Sequence, residues 1–385
     1  MLMKRNELFV HANISGEHFL IPTGQANADL RKAVSVNDTG IFIWETLRDE
    51  MSEEHLMRLV LEKYAPDRND AAEVTGDVYS FLAHLKALGL IIDDDEPVGR
   101  DLPINTDLMI AGIGIRIKSE EDILYPDFIP YKHEGLSSCD ITIRFRIGLP
   151  AYTENGTVLL RNSEVTIIDT GKTYILMYPE MERVKEIHID KSFKEANIFA
   201  LPPYDDKLKK EIYLAIRTPF LLMSLKKGAV MLHSSSVLYD GELVLFSAQS
   251  GVGKSTHAAL WESVYGTPVI NGDLNLLKPE GDQIMSYGTP WCGTSGISDN
   301  NTYPVRAILF LKRLDHNEFK AVSGAECILK LLSRCITPMW TESLSRDVLD
   351  ICTQTEKSVK CGILGCTPTP EAAVCAMDAV YRRDE

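Results

Sequence analysis

Ala248-Gln249-Ser250-Gly251-Val252-Gly253-Lys254-Ser255-Thr256 is the stretch on which the reading of this chain turns. It lies between an apolar run, Glu242 to Ser247, and a helix-forming run, Lys254 to about Val264. It fits the pattern G-x-x-x-x-G-K-[ST], with Ala248 at the first glycine. Gly251 and Gly253 let consecutive backbone N–H groups turn inward around anionic oxygens. The helix that follows points its N-terminus at the same place. Lys254 adds a mobile point charge, and the Ser255 hydroxyl is suited to ligate Mg²⁺. Ser250, Gly251, Val252, Gly253, Lys254, Ser255 and Thr256 are therefore expected to hold the phosphates of a nucleoside triphosphate. Ala248 fits the first position if its φ is negative.

Working outward, Ala229 to Leu238 reads as a strand, Asp240-Gly241 as a tight turn and Glu242 to Ser247 as a second strand. Pro268 to Asn271 reads as a buried strand leading to Asp273. Leu274–Lys278 and Gln283–Tyr287 read as a hairpin, and Val305 to Leu311 as a further strand. The remainder reads as mostly helical, around Glu326–Ile336, Ser343–Thr353 and Glu371–Tyr381. Upstream, about Leu102 to Pro179 is strand-rich, with turn signals at Asn155-Gly156 and Thr170-Gly171. A helix, roughly Asp206 to Lys226 and interrupted by Pro219, follows.

Asp273 follows a strand, where ligands gather in open α/β sheets, and an acid there can hold Mg²⁺ or take a proton from a hydroxyl. The alternative is a turn aspartate beside Gly272. His233, in Leu232-His233-Ser234, reads on its own as a core histidine. Gly288 to Gly296, with Trp291, reads either as a packed loop or as a substrate lid. Lys312 and Arg313 end a strand and could neutralise phosphate charge.

The N-terminal part is organised separately. Phe9 to Ile14 and His18 to Pro22 read as strands around Ser15-Gly16, and Ala33 to Val36 as a third. Asn37-Asp38-Thr39 supplies an N-cap for a helix with Ile41, Phe42, Trp44 and Leu47. Ser52-Glu53-Glu54 opens a second helix. A third carries Val74, Val78, Phe81, Leu82, Leu85 and Leu88 and ends at Gly89. A charge run closed by Pro97, Asp93 to Glu96, marks a boundary.

The 385 residues carry a formal net charge of −15, which argues against a nucleic-acid binder. The first 98 residues hold 18 acidic against 9 basic side chains, a preference for neutral or basic partners if it is more than solvated surface. No apolar run is long enough to cross a bilayer, and no secretory signal is evident, so a cytoplasmic location is expected. The eight cysteines show no metal-ligand spacing and are expected to be buried thiols.

About Ala229 to Arg313 resembles the catalytic domain of HPr kinase/phosphorylase, whose core is related to phosphoenolpyruvate carboxykinase. The matching features are Leu232-His233, a hairpin, Ser250-Gly251-Val252-Gly253-Lys254-Ser255-Thr256 and an acid after the next strand. The resemblance implies ATP, Mg²⁺ and phosphoryl transfer to a serine hydroxyl, with His233 near the catalytic acid. That family usually has two adjacent aspartates, and here Gly272 stands at the first. Its Arg-Gly-x-Gly signature is not evident. The Gly288-to-Gly296 segment looks like a subgroup tied to peptide modification, where a lysine would replace Thr294. About Phe9 to Ile92 resembles a PqqD-like domain, on strand and helix order, Asn37-Asp38-Thr39-Gly40 with Ile43-Trp44, and Phe81-Leu82 to Gly89-Leu90-Ile91. The resemblance implies capture of a leader peptide by strand addition in a groove of Arg31 to Val36 and the Val74-to-Leu88 face.

The expected fold class is thus α/β: an HPr kinase-like P-loop core behind a β-rich segment, with a three-strand, three-helix, winged-helix-like PqqD domain in front. The expected domains are 1–98 for peptide recognition and 99–385 for the nucleotide. The latter divides into a β-rich part 99–205, a P-loop core 206–315 and a helical part 316–385. The expected activity is an ATP- and Mg²⁺-dependent kinase acting on a Ser/Thr hydroxyl of a ribosomally made precursor peptide. Asp273, His233 and Lys254 would be catalytic, and Ser255 and Asp273 would hold the metal. The expected partner is a leader peptide, with no nucleic acid and no membrane; a homo-oligomer is compatible. The alternatives are a small-molecule kinase, for instance of free serine, and a non-catalytic ATP-gated peptide-binding protein.

Overall fold

A computed structural model describes residues 2–28, 31–66, 71–93, 101–150, 156–249 and 251–381. Ser250, the boundary residues Asp94 to Pro97 and the turn residue Asn155 lie outside the described residues. The chain divides into two compact units. One comprises Met1–Asn105, Ile117–Ile123 and Thr142–Ile216; the other comprises Thr106–Arg116, Leu124–Ile141 and Arg217–Glu385.

In the first unit, β1 (Leu2–Arg5) precedes the hairpin β2 (Phe9–Ile14) and β3 (Glu17–Pro22). Ser15 and Gly16 turn that hairpin with φ of 57° and 90°, the two left-handed residues of a tight hairpin turn. A short helix α1 (Gly24–Ala28) leads to β4 (Val34–Val36), which pairs with β3 at the edge of a three-stranded sheet. Helix α2 (Asp38–Thr46) is capped by Asn37, whose side chain accepts from Gly40 N–H at 2.8 Å. After β5 (Met51–Ser52), Ser52 caps α3 (Glu53–Tyr64) by accepting from His55 N–H. Helix α4 (Ala71–Ala87) ends at Gly89, φ 69°, and β6 (Ile91–Asp93) pairs back onto β1. Trp44, Leu56, Val60, Leu82 and Leu85 fill the core between these elements. Each such side chain contributes about 2 kcal/mol by leaving water.

The same unit contains an antiparallel run of strands. Next along the chain come β7 (Ile104–Ile110), β8 (Ile113–Ser119) and β9 (Lys132–His133), which fall largely in the second unit, then β10 (Ile141–Ile147), which falls almost wholly in the first. Then β11 (Thr157–Arg161), β12 (Thr166–Asp169), β13 (Thr173–Met177), β14 (Val184–Asp190) and β15 (Glu195–Ala200) pair in sequence order, and β10 joins β15 in parallel. This run groups with residues 1–105, across the expected boundary near residue 98. The causes are specific: Arg31 pairs with Glu186 of β14 at 3.0 Å and donates to the Pro150 carbonyl at 2.8 Å, and Leu149 N–H donates to Ala87.

The second unit is built on β16 (Val230–Tyr239), which follows helix α5 (Asp206–Lys226). Then come β17 (Glu242–Ser247), helix α6 (Lys254–Tyr265), β18 (Val269–Asn271), β19 (Leu274–Glu280), β20 (Gln283–Tyr287) and β21 (Thr302–Arg313). β17 pairs with β16 and also, in parallel, with β21, so β17-β16-β19-β20-β21 close a ring. Beyond β21 lie β22 (Glu318–Ala321), helices α7 (Gly324–Leu332) and α8 (Glu342–Ser358), β23 (Lys360–Cys366) and α9 (Pro370–Tyr381). β23 pairs with β21 in parallel and with β22 antiparallel. The C-terminal part, expected to be mostly helical, also holds two strands: β22 and β23 extend the sheet. Lys-Cys-Gly-Ile-Leu-Gly-Cys hides its strand because both faces are covered and alternation disappears. At Gly362 a Cβ would lie 2.0 Å from the Phe319 ring, so the glycine there serves packing, not a turn. Among the described residues no helix is long and apolar enough to cross a membrane.

Candidate phosphate and catalytic site

The turn after β17 holds the candidate phosphate loop. Gly251 and Gly253 have φ of 77° and 122°, a conformation other side chains rarely adopt. Ala248 is buried and is not among the described non-glycine residues with positive φ, which are Ser15, Ala111, Phe193 and Asp240. From the far side, Arg313 at the end of β21 donates to the carbonyls of Gly251 and Val252, the latter at 3.1 Å. Arg313 thus braces the loop by its carbonyls; the role expected of it was direct phosphate neutralisation. Ser255 and Thr256 are exposed in the first turn of α6, while Lys254 is only 9% exposed.

Lys254 Nζ lies 2.8 Å from His233 Nε2, and the same Nε2 lies 2.9 Å from Asp273 Oδ1. One ring nitrogen can serve only one of them at a time, accepting from Lys254 or donating to Asp273. Burial pushes the Lys254 ammonium toward losing its proton, which Asp273 opposes and Arg334 reinforces. Burial would raise the Asp273 carboxyl, but the His233 hydrogen bond and the charges of His233, Lys254 and Arg217 hold it below the usual carboxylate range. It is therefore ionised at neutral pH.

Asp273 follows the end of β18, the strand after α6. It sits at the bend between β18 and β19, both antiparallel neighbours of β16. Asn271 makes that bend: its Oδ1 accepts from the N–H groups of Asp273 and Leu274, each at 2.9 Å. Ser234 N–H donates to the Asp273 carbonyl at 2.8 Å, and His233 N–H to the Arg334 carbonyl at 2.9 Å. Lys254, His233 and Asp273 are thus brought together from α6, β16 and the β18–β19 bend. Arg217 of α5 and Arg334 after α7 add charge to the cluster. Neither carried a sequence signal, since one is an ordinary helix arginine and the other follows a helix end.

The Gly288-to-Gly296 loop packs against this bend. Trp291 is 1% exposed, its ring centroid 4.9 Å from that of Phe220. A Cβ on Gly293 would lie 2.9 Å from Asp273 Cβ, and one on Gly272 would lie 2.0 Å from Ser295 Oγ and 2.5 Å from Ser295 Cβ. There is no room at 272 for the second aspartate of the family pattern. Gly272→Asp is expected to lower stability by about 1–3 kcal/mol through overpacking. Ser295→Gly in the same chain should recover most of that loss, as read by urea unfolding; equal losses in both backgrounds would contradict the contact.

The loop and its surroundings fit a triphosphate. The space at the Gly251 Cβ position is open, with nothing within 4 Å, and Lys254 opens the helix that follows the loop. Among the described residues no three His, Cys, Asp or Glu side chains form a metal cage. Mg²⁺ does not need one, since it takes one or two protein oxygens and fills its shell with phosphate oxygens and water. Asp273 and Ser255 offer such oxygens.

Residues 17–91 match the family model for coenzyme PQQ synthesis protein D. The N-terminal domain is PqqD-like. The match takes in β3, β4 and α2 to α4, the strand-and-helix set described above. No curated protein matches the chain. Among solved structures, the Hpr(Ser) kinase/phosphatase from Coxiella burnetii aligns with 38% of this chain and 94% of its own, at 14% identity and a TM-score of 0.23. A likeness of that size carries nothing about the site, which stands on its own geometry.

Proposed function

We propose that the chain is an ATP- and Mg²⁺-dependent kinase that phosphorylates a serine or threonine hydroxyl on a precursor peptide captured by its PqqD-like domain. The observation that carries this reading is the joining of Lys254, His233 and Asp273 within hydrogen-bond distance beside a phosphate loop. Bound Mg²⁺ would supply charge neutralisation on the phosphates, held by Asp273 and Ser255. Lys254 and the loop amides would bind the β- and γ-phosphates. Lys254, drawn to phosphate, would release His233 to donate to Asp273. Asp273 would then accept the proton of the acceptor hydroxyl as its oxygen bonds to the γ-phosphorus. The bond from that phosphorus to the bridging oxygen breaks, and ADP leaves with the electron pair. The proton passes from Asp273 to solvent. Holding the acceptor peptide on the same chain raises its effective concentration at a site with few contacts of its own.

The test is incubation of the full-length protein, ATP and Mg²⁺ with the short peptides encoded beside it, followed by mass spectrometry. A gain of one phosphoryl group on a Ser or Thr, lost when the leader half is removed, is the expected result. Equal transfer to free serine would favour a small-molecule kinase. ATP binding without transfer to any peptide would favour an ATP-gated binding protein.

A further inference from the structure

A cavity of about 310 Å³ opens within the first unit, beside the start of β4. Arg31, Lys32, Val34 and Leu88 of the PqqD-like domain line one wall of it, with Phe9 just before that match. The opposite wall is the β13–β14 turn, which lies outside the family match and contributes Met177, Met181, Lys185 and Glu186. That turn is tied down, since the Glu211 carboxylate accepts from the N–H groups of Glu182, Arg183 and Val184 at 2.8–3.1 Å.

Arg31 is the unusual group. Its side chain is 7% exposed; Nη2 serves both Glu186 and the Pro150 carbonyl, yet Nη1 is buried with no hydrogen-bond partner among the described residues. Such a donor is destabilising unless something accepts from it. The Glu186 carboxylate is already engaged, at 3.0 Å by Arg31 and at 3.0 Å by His188. Lys32 and Lys185 add positive charge at the same place. Burial and the nearby Lys32 both push the Lys185 ammonium toward losing its proton, and its Nζ donates to the Met181 carbonyl. The acids on this rim, Glu180 and Glu182, are exposed to water. The floor therefore favours an anion and the walls an apolar neighbour.

β4 lies at the edge of its sheet and, among the described residues, pairs only with β3, so its outer edge can take an added strand that would run past Val34 toward this cavity. We infer that the cavity receives an acidic side chain of an extended peptide laid on β4, its carboxylate accepting from Arg31 Nη1 with Lys32 and Lys185 close by. This rests on the peptide-capture reading above, and adds that the β13–β14 turn, outside the PqqD-like domain, selects the residue that enters.

The probe is a displayed library of random linear peptides selected on the full-length protein. The best binder is then synthesised and its effect on hydrogen exchange measured at Val34–Val36. Enriched peptides should slow that exchange and carry Asp or Glu at one fixed position beside apolar residues. Changing that acid to its amide should weaken binding by about tenfold, the scale of a charge-assisted hydrogen bond. The loss should shrink in Lys32→Ala, an exposed position that does not threaten folding, and in Lys185→Met. Binders that protect β4 but ignore the acid-to-amide change would overturn the cavity's role and leave capture standing. Binders that leave β4 unprotected would overturn capture itself.

Discussion

Replacing Asp273 by asparagine is expected to slow phosphate transfer by about 10²–10⁴-fold, the range for losing a positioned proton acceptor. The amide keeps the size of the side chain and can still accept from His233 through its oxygen, so the bend set by Asn271 should hold. What it loses is the charge that His233, Lys254 and Arg217 hold ionised. ATP affinity should change only a few-fold, because the loop amides and Lys254 remain and Ser255 and the amide oxygen can still offer oxygens to Mg²⁺. Rapid-quench measurement of phosphopeptide formation, beside titration with a fluorescent nucleotide, separates the two. A variant that transfers phosphate at the parent rate would remove Asp273 from the mechanism.

Lys254→Met should fail in the complementary way. Losing a charged donor to phosphate costs about 1.5–3 kcal/mol, so ATP affinity should fall by about 10–100-fold, with transfer reduced further. The empty protein should not melt lower. Lys254 is a largely buried cation in the field of Arg334, and without it His233 and Asp273 keep their own contact at 2.9 Å. Unchanged ATP affinity would mean that the phosphates lie elsewhere. A melting point well below the parent's would mean that Lys254 holds the fold together, and its role would need to be rethought. Activity and stability pulling in opposite directions at one residue is a common mark of a functional site.

Much of this was legible in the sequence. The Asn37 and Ser52 caps, the Ser15-Gly16 and Asp240-Gly241 turns and the Gly251/Gly253 pair are local signals, and each imposes its conformation with little help from the rest of the chain. What stayed hidden depends on distant partners. β23 shows no alternation because neighbours cover both its faces. Arg217 and Arg334 acquire meaning only when α5 and the end of α7 are folded near Asp273. The steric reason for Gly272 is Ser295, twenty-three positions along the chain, and no composition or spacing announces that contact. His233 reads on its own as a core histidine of a strand; its contacts to Lys254 and Asp273 exist only once α6 and the β18–β19 bend are folded around it.

The grip of Arg313 on the Gly251 and Val252 carbonyls bears on time as well as on shape. A glycine-rich turn left to itself wanders, and an incoming triphosphate must wait for the amides to converge. Here a strand end restrains these two peptide groups from within the fold. The conformational freedom they would surrender to a ligand has already been given up during folding, so less of each encounter's binding energy is consumed in ordering the receiver.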